Sequence, residues 1–503
     1  MSDELRLLVA AAPIVVVLLL LVVRVPSLWA GVAGLAVALA GAALAFPVDG
    51  AQATATLTGL GPLVVEVALI LLGGVGLAEG MARSGAQDRI ALWLGEAEQG
   101  SERGVAPSAD TGADRTIMLL LLVYGMTPFM ESVTGFGLGV VITAPLLIRL
   151  GLTPARAVVT GLLGLVTVPW GSLAPGTLVA AQLGGVGFTE LGIATALVTP
   201  IVMAVSAAVV LRLNVRCIRL PDVALAALTI AVATFALLAA HALVGPPLAG
   251  VAAGAAVVAA LLAVLRIRRG ALPRGDRALG RALVPYAVLT AGILGATGLL
   301  ALITALTDAA ASGAEPGSSG ADAWGWLTSP ALWSLVAASV GAAMAPIGGS
   351  ARRALLLAAL RRWVPIAGNA VVFLLMGIVL ATAGMAGHLA SAAASIGPGF
   401  VAAVPLLGAL GGYLTGSNTG AAAMLSSATA SAAAGLGVSP LAVLAGQNAA
   451  GSFAIIASPP RIALAIGVAL PPGQRLPRRM LLVLLGAVTV AALLLGPAML
   501  LVA

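Results

Sequence analysis

Residues 399–436 read GFVAAVPLLGALGGYLTGSNTGAAAMLSSATASAAAGL, an apolar run that the polar phrase Thr415–Gly420 interrupts near its middle. One membrane-spanning helix needs roughly 20 residues, so the run is too long for one span and divides into two arms. A similar run at 116–149 is interrupted by Glu131–Gly137. We expect two re-entrant hairpins, because non-helical backbone at membrane depth is tolerated only inside protein or beside a cavity. Two full crossings with short arms are the alternative for each run.

The composition predicts that lipid covers most of the surface. Hydrophobic residues make up 61% of the chain and charged residues 9%, against about 25% charged residues in soluble domains. We therefore expect an all-α polytopic membrane protein with about 12 transmembrane helices besides the hairpins. The segment 5–24 is interpreted as the first of these helices rather than a signal peptide. The single cysteine, Cys217, excludes a disulfide within the chain.

The basic residues indicate how the chain is oriented. All 25 are arginines, and they cluster in short loops between apolar runs, which is typical of cytoplasmic loops in membrane proteins. The net charge of +7 therefore does not indicate nucleic-acid binding. When every arginine cluster is placed in the cytoplasm, the number of crossings between clusters is even only if each hairpin enters and leaves on one side. This arrangement puts both termini outside.

The order of the apolar runs predicts two inverted repeats. Each hairpin is followed by a similar phrase, Leu150–Pro154 in the first case and Leu436–Pro440 in the second, and then by a segment broken by glycine and proline. Paired interrupted segments of this kind point to a substrate site near the middle of the membrane in secondary transporters. Chance self-similarity of a chain rich in glycine and alanine is the alternative. The predicted units are 1–211 (hairpin 116–149, broken helix 155–185), 212–282 (a linking helix pair with Arg-rich cytoplasmic loops) and 283–503 (hairpin 399–436, broken helix 439–471).

The polar tip of the second hairpin is the strongest candidate for substrate binding. Its side chains offer neutral donors and acceptors at the start of a helical arm, where free N–H groups favour an anion such as a carboxylate. Backbone carbonyls turned the other way would suit sodium. The alternative is that these polar residues only cap the helices at an ordinary loop and bind nothing. The substrate-binding candidates over both tips and both breaks are Thr134, Gly135, Phe136, Gly137, Thr415, Gly416, Ser417, Asn418, Thr419, Gln447, Asn448 and Arg461.

Two acidic residues are candidate proton carriers. Glu131 lies beside the first tip and Glu66 lies within an apolar run, and acids inside the membrane are functional by default. A structural ion pair is the alternative for Glu131. Arg461 follows the second break and could bind a substrate carboxylate through two hydrogen bonds, or it could pair with either acid in the absence of substrate. Tryptophans such as Trp170 are expected at the membrane interface.

Signatures of several enzyme classes are absent from the sequence. The chain has no lysine and thus no phosphate-binding loop of the Gly-x-x-x-x-Gly-Lys kind, and it lacks His-Glu-x-x-His and Gly-x-Ser-x-Gly. We therefore predict that the protein is not an enzyme, uses no cofactor and binds no metal as a cofactor. A proton is the expected coupling ion, and sodium is the alternative.

The stretch Glu131–Gly176 (ESVTGFGLGVVITAPLLIRLGLTPARAVVTGLLGLVTVPWGSLAPG) resembles the L-lactate permease family, which includes glycolate carriers. Leu410–Pro460 resembles the second half of the same family. The resemblance implies a symporter of the plasma membrane (the bacterial inner membrane) that carries a proton with L-lactate or a related 2-hydroxymonocarboxylate such as glycolate. The protein would bind the small carboxylate as its substrate and would be embedded in the lipid bilayer.

The Ser417–Thr419 tip is also similar to the tips of divalent-anion/sodium symporters. That likeness implies an elevator-type transporter, often a homodimer. Asn418 is neutral where the lactate permeases often have an acid, which leaves the substrate and the coupling ion open. The nearest alternative is a sodium-coupled symporter for another organic anion, followed by a channel or a membrane subunit that does not transport.

Overall fold

The computed structural model describes residues 2–90, 93, 111–135, 137–269, 276–310, 326–346, 348–471 and 473–502. Within these ranges the chain forms helices and no strand, which confirms the all-α prediction. Twelve of the described helical segments are long and apolar enough to cross a membrane, and this number matches the prediction.

The first part of the chain forms helices around two interruptions. They are α1 (Asp3–Val22), α2 (Ser27–Ala45), α3 (Gly50–Arg83), α4 (Thr111–Leu120), a π-helical turn (Leu121–Met126), α5 (Thr127–Thr134), α6 (Leu138–Arg149), α7 (Pro154–Leu163), a 3₁₀ turn (Val168–Leu173), α8 (Pro175–Gly184), α9 (Phe188–Asn214), α10 (Leu220–Leu243) and α11 (Pro246–Arg269).

The second part follows a comparable order. It contains α12 (Arg277–Ala310), α13 (Pro330–Met344), α14 (Gly349–Thr382), α15 (Met385–Ala394), α16 (Pro398–Thr415), α17 (Asn418–Gly435), α18 (Pro440–Ala454), a 3₁₀ turn (Ile455–Ala457), α19 (Pro459–Ala469) and α20 (Arg478–Val502). The inverted relation of the two parts stays a prediction.

The twelve candidate spans are not the twelve expected from the sequence. They include Ala113–Thr134 and Pro398–Thr415, which are the first arms of the two predicted hairpins. They leave out two expected spans, the shorter helix α13 and the broken segment 155–185, which forms the short helices α7 and α8. Two helices also begin earlier than their apolar runs suggest, α3 at Gly50 and α14 at Gly349. Hydropathy identifies the lipid-facing middle of a helix and misses polar ends. The added end of α14 is rich in arginine, alanine and leucine, which favour helices. The added end of α3 contains alanines and follows the cap Asp49, which accepts a hydrogen bond from Gln52 N–H.

In both interrupted runs the two arms fold back on each other. The hydroxyl oxygens of Thr127 on α5 and Thr143 on α6 lie 2.8 Å apart, and these residues flank the tip at similar distances along the chain. On the second run, a Cβ placed on Gly411 would lie 3.2 Å from that of Ala421. Each run is therefore a pair of antiparallel helices with its polar phrase at the turn, and its re-entrant position in a membrane stays a prediction.

Both predicted helix breaks are present. Helices α7 and α8 are separated by the 3₁₀ turn Val168–Leu173, and α18 and α19 by Ile455–Ala457. The first break is strained, since Ser172, Leu173 and Ala174 have φ values of 43°, 69° and 68°. Residues other than glycine rarely adopt such values, and a run of three persists only where surrounding packing enforces it.

The two interrupted regions interlock in the middle of the protein. The second arm of hairpin two, α17, packs on α8 beyond the first break, and α19 beyond the second break packs on α6 and α7. This region is also the most enclosed, because 94% of the apolar window in Ala113–Thr134 is buried, against 17% in α1. The breaks and turns thus lie inside the molecule, and α1 presents most of its surface outward.

Candidate functional site

The first hairpin tip is organised by a buried carboxylate. Both carboxylate oxygens of Glu131 accept hydrogen bonds from the backbone N–H of Gly137, each at 2.9 Å, and Gly139 N–H donates to one of them at 3.4 Å. These N–H groups belong to the start of α6, where no helical carbonyl can accept them. Glu131 therefore closes the tip by capping the second arm with its own side chain.

Arg461 provides the positive charge beside this carboxylate. Its Nη1 atom lies 3.5 Å from Glu131 Oε1, and the two side chains are only 12% and 2% exposed. The geometry also explains Gly137, since a Cβ there would lie 2.7 Å from Arg461 Nη1 and its φ of +83° favours glycine. Of the two acids that could pair with Arg461, the structure places Glu131 beside it.

The second hairpin tip is neutral and is held by amide and hydroxyl groups. Ser417 caps α17 by accepting a hydrogen bond from Gly420 N–H at 3.2 Å, and Ser417 N–H donates to Thr415 Oγ1 at 3.2 Å. The Asn418 amide donates to Asn448 Oδ1 at 2.9 Å. The amide of Asn448 in turn lies within hydrogen-bonding distance of Thr177 Oγ1 at 3.0 Å.

This hydrogen-bond chain connects the second tip to the first break. Thr177 belongs to α8 and donates to the carbonyl of Pro169 at 2.6 Å. A Cβ on Gly176 would overlap the Asn418 amide, so glycine is needed for this close approach. The second tip and the first break therefore form one packed unit.

A cavity of about 360 Å³ opens between the tips and the breaks. A volume of this size suits a small molecule. The cavity wall combines residues of both tips and both breaks with parts of α2, α3 and α14. The polar members of this wall, other than backbone, are Ser27, Glu131, Ser172, Asn369, Thr415, Ser417, Asn418, Thr419 and Arg461.

Four residues of the cavity wall carry a buried polar atom with no hydrogen-bond partner among the described residues. These atoms are Ser27 Oγ, Ser172 Oγ, Asn369 Oδ1 and Arg461 Nη1. Leaving such groups unpaired is costly, so they usually find a partner in protein, water or ligand. Their convergence on one cavity from four segments distant in sequence indicates a site for a polar ligand.

The predicted site residues divide into three groups. Residues that line the cavity are Glu131, Gly135, Thr415, Gly416, Ser417, Asn418, Thr419 and Arg461. Residues in contact with that group but outside the wall are Gly137 and Asn448. Three others lie apart from the wall and form hydrogen bonds elsewhere: Thr134 Oγ1 donates to Met130 O at 2.6 Å, Gln447 Nε2 to Ser426 Oγ at 3.0 Å, and Glu66 accepts from Ser329 Oγ at 2.9 Å. The Oε1 atom of Gln447 is buried without a partner among the described residues. Phe136 lies outside the described residues.

Sequence reasoning missed Ser27, Ser172 and Asn369. Asn369 offered a usable signal, because it is an amide within the apolar part of α14 and polar groups there are costly. The two serines offered none, since serine is common in helices and loops of every kind.

Trp170 is a correction to the predicted interface anchors. It is fully buried at the first break and donates through Nε1 to His241 Nε2 at 3.0 Å. The His241 Nδ1 atom lies 2.6 Å from the carbonyl of Leu237. Trp170 packs inward because small residues of neighbouring helices, such as Ala196, Ala249 and Ala253, leave room for its ring.

A family model described as L-lactate permease matches residues 6–271 and 315–474. The match covers most of the chain and includes both tips and both breaks, and it confirms the resemblance seen in Glu131–Gly176. No curated protein matches the chain significantly. With the twelve apolar helices, the match indicates a multi-pass membrane protein with a transport function. The chain belongs to the L-lactate permease family.

Proposed function

We propose that the protein is a secondary active transporter that takes up L-lactate, or a related 2-hydroxymonocarboxylate such as glycolate, together with a proton. The observation that carries this proposal is the buried pair of Glu131 and Arg461 on the cavity wall, 3.5 Å apart. The Nη1 atom of Arg461 has no hydrogen-bond partner among the described residues, so a guanidinium donor is available for a carboxylate.

The charges of this pair suggest how proton and substrate are coupled. In the empty site, one negative Glu131 and one positive Arg461 cancel. A lactate anion that binds Arg461 adds a second carboxylate, and an uncompensated charge in such a buried place is costly. If Glu131 takes up a proton, the loaded site is neutral again. Empty and loaded forms can then both change conformation without an unpaired charge, whereas the form with lactate alone cannot.

The remaining unpaired atoms suit the rest of the substrate. Asn369 Oδ1 is an acceptor, and the 2-hydroxyl of lactate is a donor. Ser27 and Ser172 hydroxyls can donate to the second carboxylate oxygen or to the hydroxyl. This arrangement supports a 2-hydroxy acid over a plain carboxylate, which would leave the Asn369 acceptor unpaired.

The proposed movement is that of an elevator built from two inverted repeats. Both hairpin tips reach the cavity from different elements, which supports re-entrant hairpins whose arms end inside the protein. The α6 arm, 12 residues long, would extend about 18 Å at 1.5 Å per residue, less than a bilayer core of about 30 Å. Both termini would lie outside the inner membrane, and a homodimer would hold the static part in place.

The test is uptake of labelled L-lactate into proteoliposomes with an inward proton gradient, an inward sodium gradient, or neither. We expect accumulation with the proton gradient alone, and loss of this accumulation in Glu131→Gln. The matched control is Glu190→Gln, since Glu190 is an exposed residue at the start of α9. Accumulation that follows sodium and ignores protons would refute proton coupling, and a protein that ignores lactate under all three conditions would refute the substrate.

A further inference from the structure

A second cavity, of about 400 Å³, lies where the ends of several helices meet, away from the candidate substrate site. Its wall is formed by the start of α4, the loop after α6, the end of α9 and the start of α10. Three arginines, Arg115, Arg216 and Arg219, line this cavity, and all three are exposed.

Some arginines near other helix ends are paired with acids. Arg268 and Arg269 pair with Asp114 at 3.0 and 2.7 Å, and Arg362 pairs with Glu79 at 3.2 Å. In contrast, none of the three arginines of the second cavity forms an ion pair within the described parts of the chain. Arginines that serve only to orient the protein in a membrane would not need to share one cavity.

Among the described residues of this cavity wall there is one acid, and it does not neutralise the three arginines. Asp222 is 6% exposed, and its two oxygens accept hydrogen bonds from Thr116 Oγ1 at 2.7 Å and from Arg219 N–H at 2.9 Å. Over the described residues of the wall, one hydrogen-bonded carboxylate faces three guanidinium groups, so this part of the wall has a net positive charge.

A further unpaired group lies in the same wall. Asn214 donates through Nδ2 to Thr160 Oγ1 at 2.9 Å, while its Oδ1 atom is buried without a hydrogen-bond partner among the described residues. A ligand that satisfies this wall therefore carries negative charge for the arginines and at least one hydrogen-bond donor for Asn214.

We propose that this cavity binds a phosphate group, which could come from an anionic phospholipid headgroup or from free phosphate. Guanidinium groups match phosphate oxygens through paired hydrogen bonds, and basic pockets between membrane helices bind lipid headgroups. The donor for Asn214 would be a headgroup hydroxyl or the acid hydroxyl of free phosphate. The site joins the base of the first hairpin to the α9–α10 loop, so its ligand would hold these two segments together.

Cys217 makes the proposal directly testable. It is the only cysteine in the chain, it is exposed, and it lines this cavity. The rate of its modification by N-ethylmaleimide in the purified full-length protein thus reports on occupancy without an engineered label. The probes are soluble dihexanoyl phosphatidylglycerol, inorganic phosphate, L-lactate, and chloride at matched ionic strength and pH.

We expect phosphatidylglycerol, phosphate or both to slow the modification at least about fivefold, with no effect of lactate or chloride. In Arg216→Gln/Arg219→Gln, half-maximal protection should need about thirtyfold more ligand, because each surface arginine contributes roughly fivefold to the affinity. Arg115→Gln tests the same wall from another element. The matched control is Arg353→Gln/Arg361→Gln, which removes two exposed charges from α14 and should leave the protection unchanged.

The comparison between probes identifies the source of the phosphate. Protection by both phosphate and phosphatidylglycerol assigns the site to the phosphate group itself, and protection by the lipid alone assigns it to a headgroup held also by its chains. Protection by neither probe, equal protection by lactate, or equal loss in both double variants would overturn the proposal.

Discussion

The two hairpin tips face the same cavity with different chemistry. The first tip carries a charge, Glu131, bonded to the start of its own second arm and placed beside Arg461. The second tip carries no charge and is fixed through Asn418 and Asn448 to the helix beyond the first break. Two hairpins with a comparable order of helices thus carry tips of different chemistry.

Under the proposed function, this difference gives the two tips different tasks. Only the first can gain or lose a proton, and its partner Arg461 comes from the opposite half of the chain. The second tip can shape the cavity and offer neutral donors, but it cannot couple transport to a proton gradient. Variants at both tips and on the cavity wall test this division.

Arg461→Gln should lower lactate uptake about a hundredfold or more. The change removes the proposed carboxylate partner and leaves Glu131 buried beside no opposite charge, a loss worth about 3–5 kcal/mol for a buried pair. Uptake initial rates measure the effect, and size-exclusion chromatography of the variant checks that it folds. Arg353→Gln is the matched control, and near-normal uptake by a folded Arg461→Gln protein would contradict the account.

Glu131→Gln should separate exchange from net transport. The neutral side chain resembles protonated Glu131, so the loaded carrier can still move, but the empty carrier now holds an unpaired Arg461 in a buried place. We expect exchange of external labelled lactate for internal lactate within about threefold of wild type, while proton-driven net uptake falls about tenfold or more. Equal loss of both activities would mean that Glu131 is needed for structure alone.

Asn448→Ala tests the neutral tip. The change removes the Oδ1 atom that accepts from Asn418 and the Nδ2 group that donates to Thr177. Each buried group left unpaired costs about 1–3 kcal/mol. We expect uptake to fall about tenfold with an unchanged response to the proton gradient. The control is Gln182→Ala, which removes an exposed amide from α8. If the variant's uptake responded differently to the proton gradient, the second tip would take part in proton coupling, and the proposed division of tasks would be wrong.

Asn369→Ala should have the smallest effect and should act on selectivity. Loss of one acceptor for the 2-hydroxyl should raise the KM for lactate about threefold to tenfold. Competition by propionate, which lacks the hydroxyl, should stay the same and serves as the internal control. If both acids weaken equally, Asn369 supports the cavity without recognising the hydroxyl.

The sequence predicted the tips and breaks because they interrupt apolar runs, and it identified Glu131 and Arg461 because charges are rare there. It could not choose between Glu131 and Glu66 as the partner of Arg461, since that choice depends on which helices pack together. The expectation that Gln447 and Asn448 line the cavity illustrates another limit. Hydropathy shows that a polar residue lies on an apolar helix, but it does not show which neighbouring helix the side chain faces. Here Gln447 donates to Ser426 and does not face the cavity.

For a related reason, the sequence could not predict that Ser27 and Asn369 line the cavity. Ser27 begins α2 and Asn369 lies within α14, and no local pattern connects either residue to the tips. Their position on the cavity wall follows from tertiary packing around the interlocked hairpins.

If the empty and loaded sites are both neutral, lactate uptake does not depend on membrane voltage. Labelled lactate uptake would be measured in proteoliposomes with the proton gradient and the voltage set independently by buffers and by potassium with valinomycin. The account predicts uptake that follows the proton gradient and is unchanged by voltage, with one proton entering for each lactate. Uptake that follows voltage at zero proton gradient would contradict it.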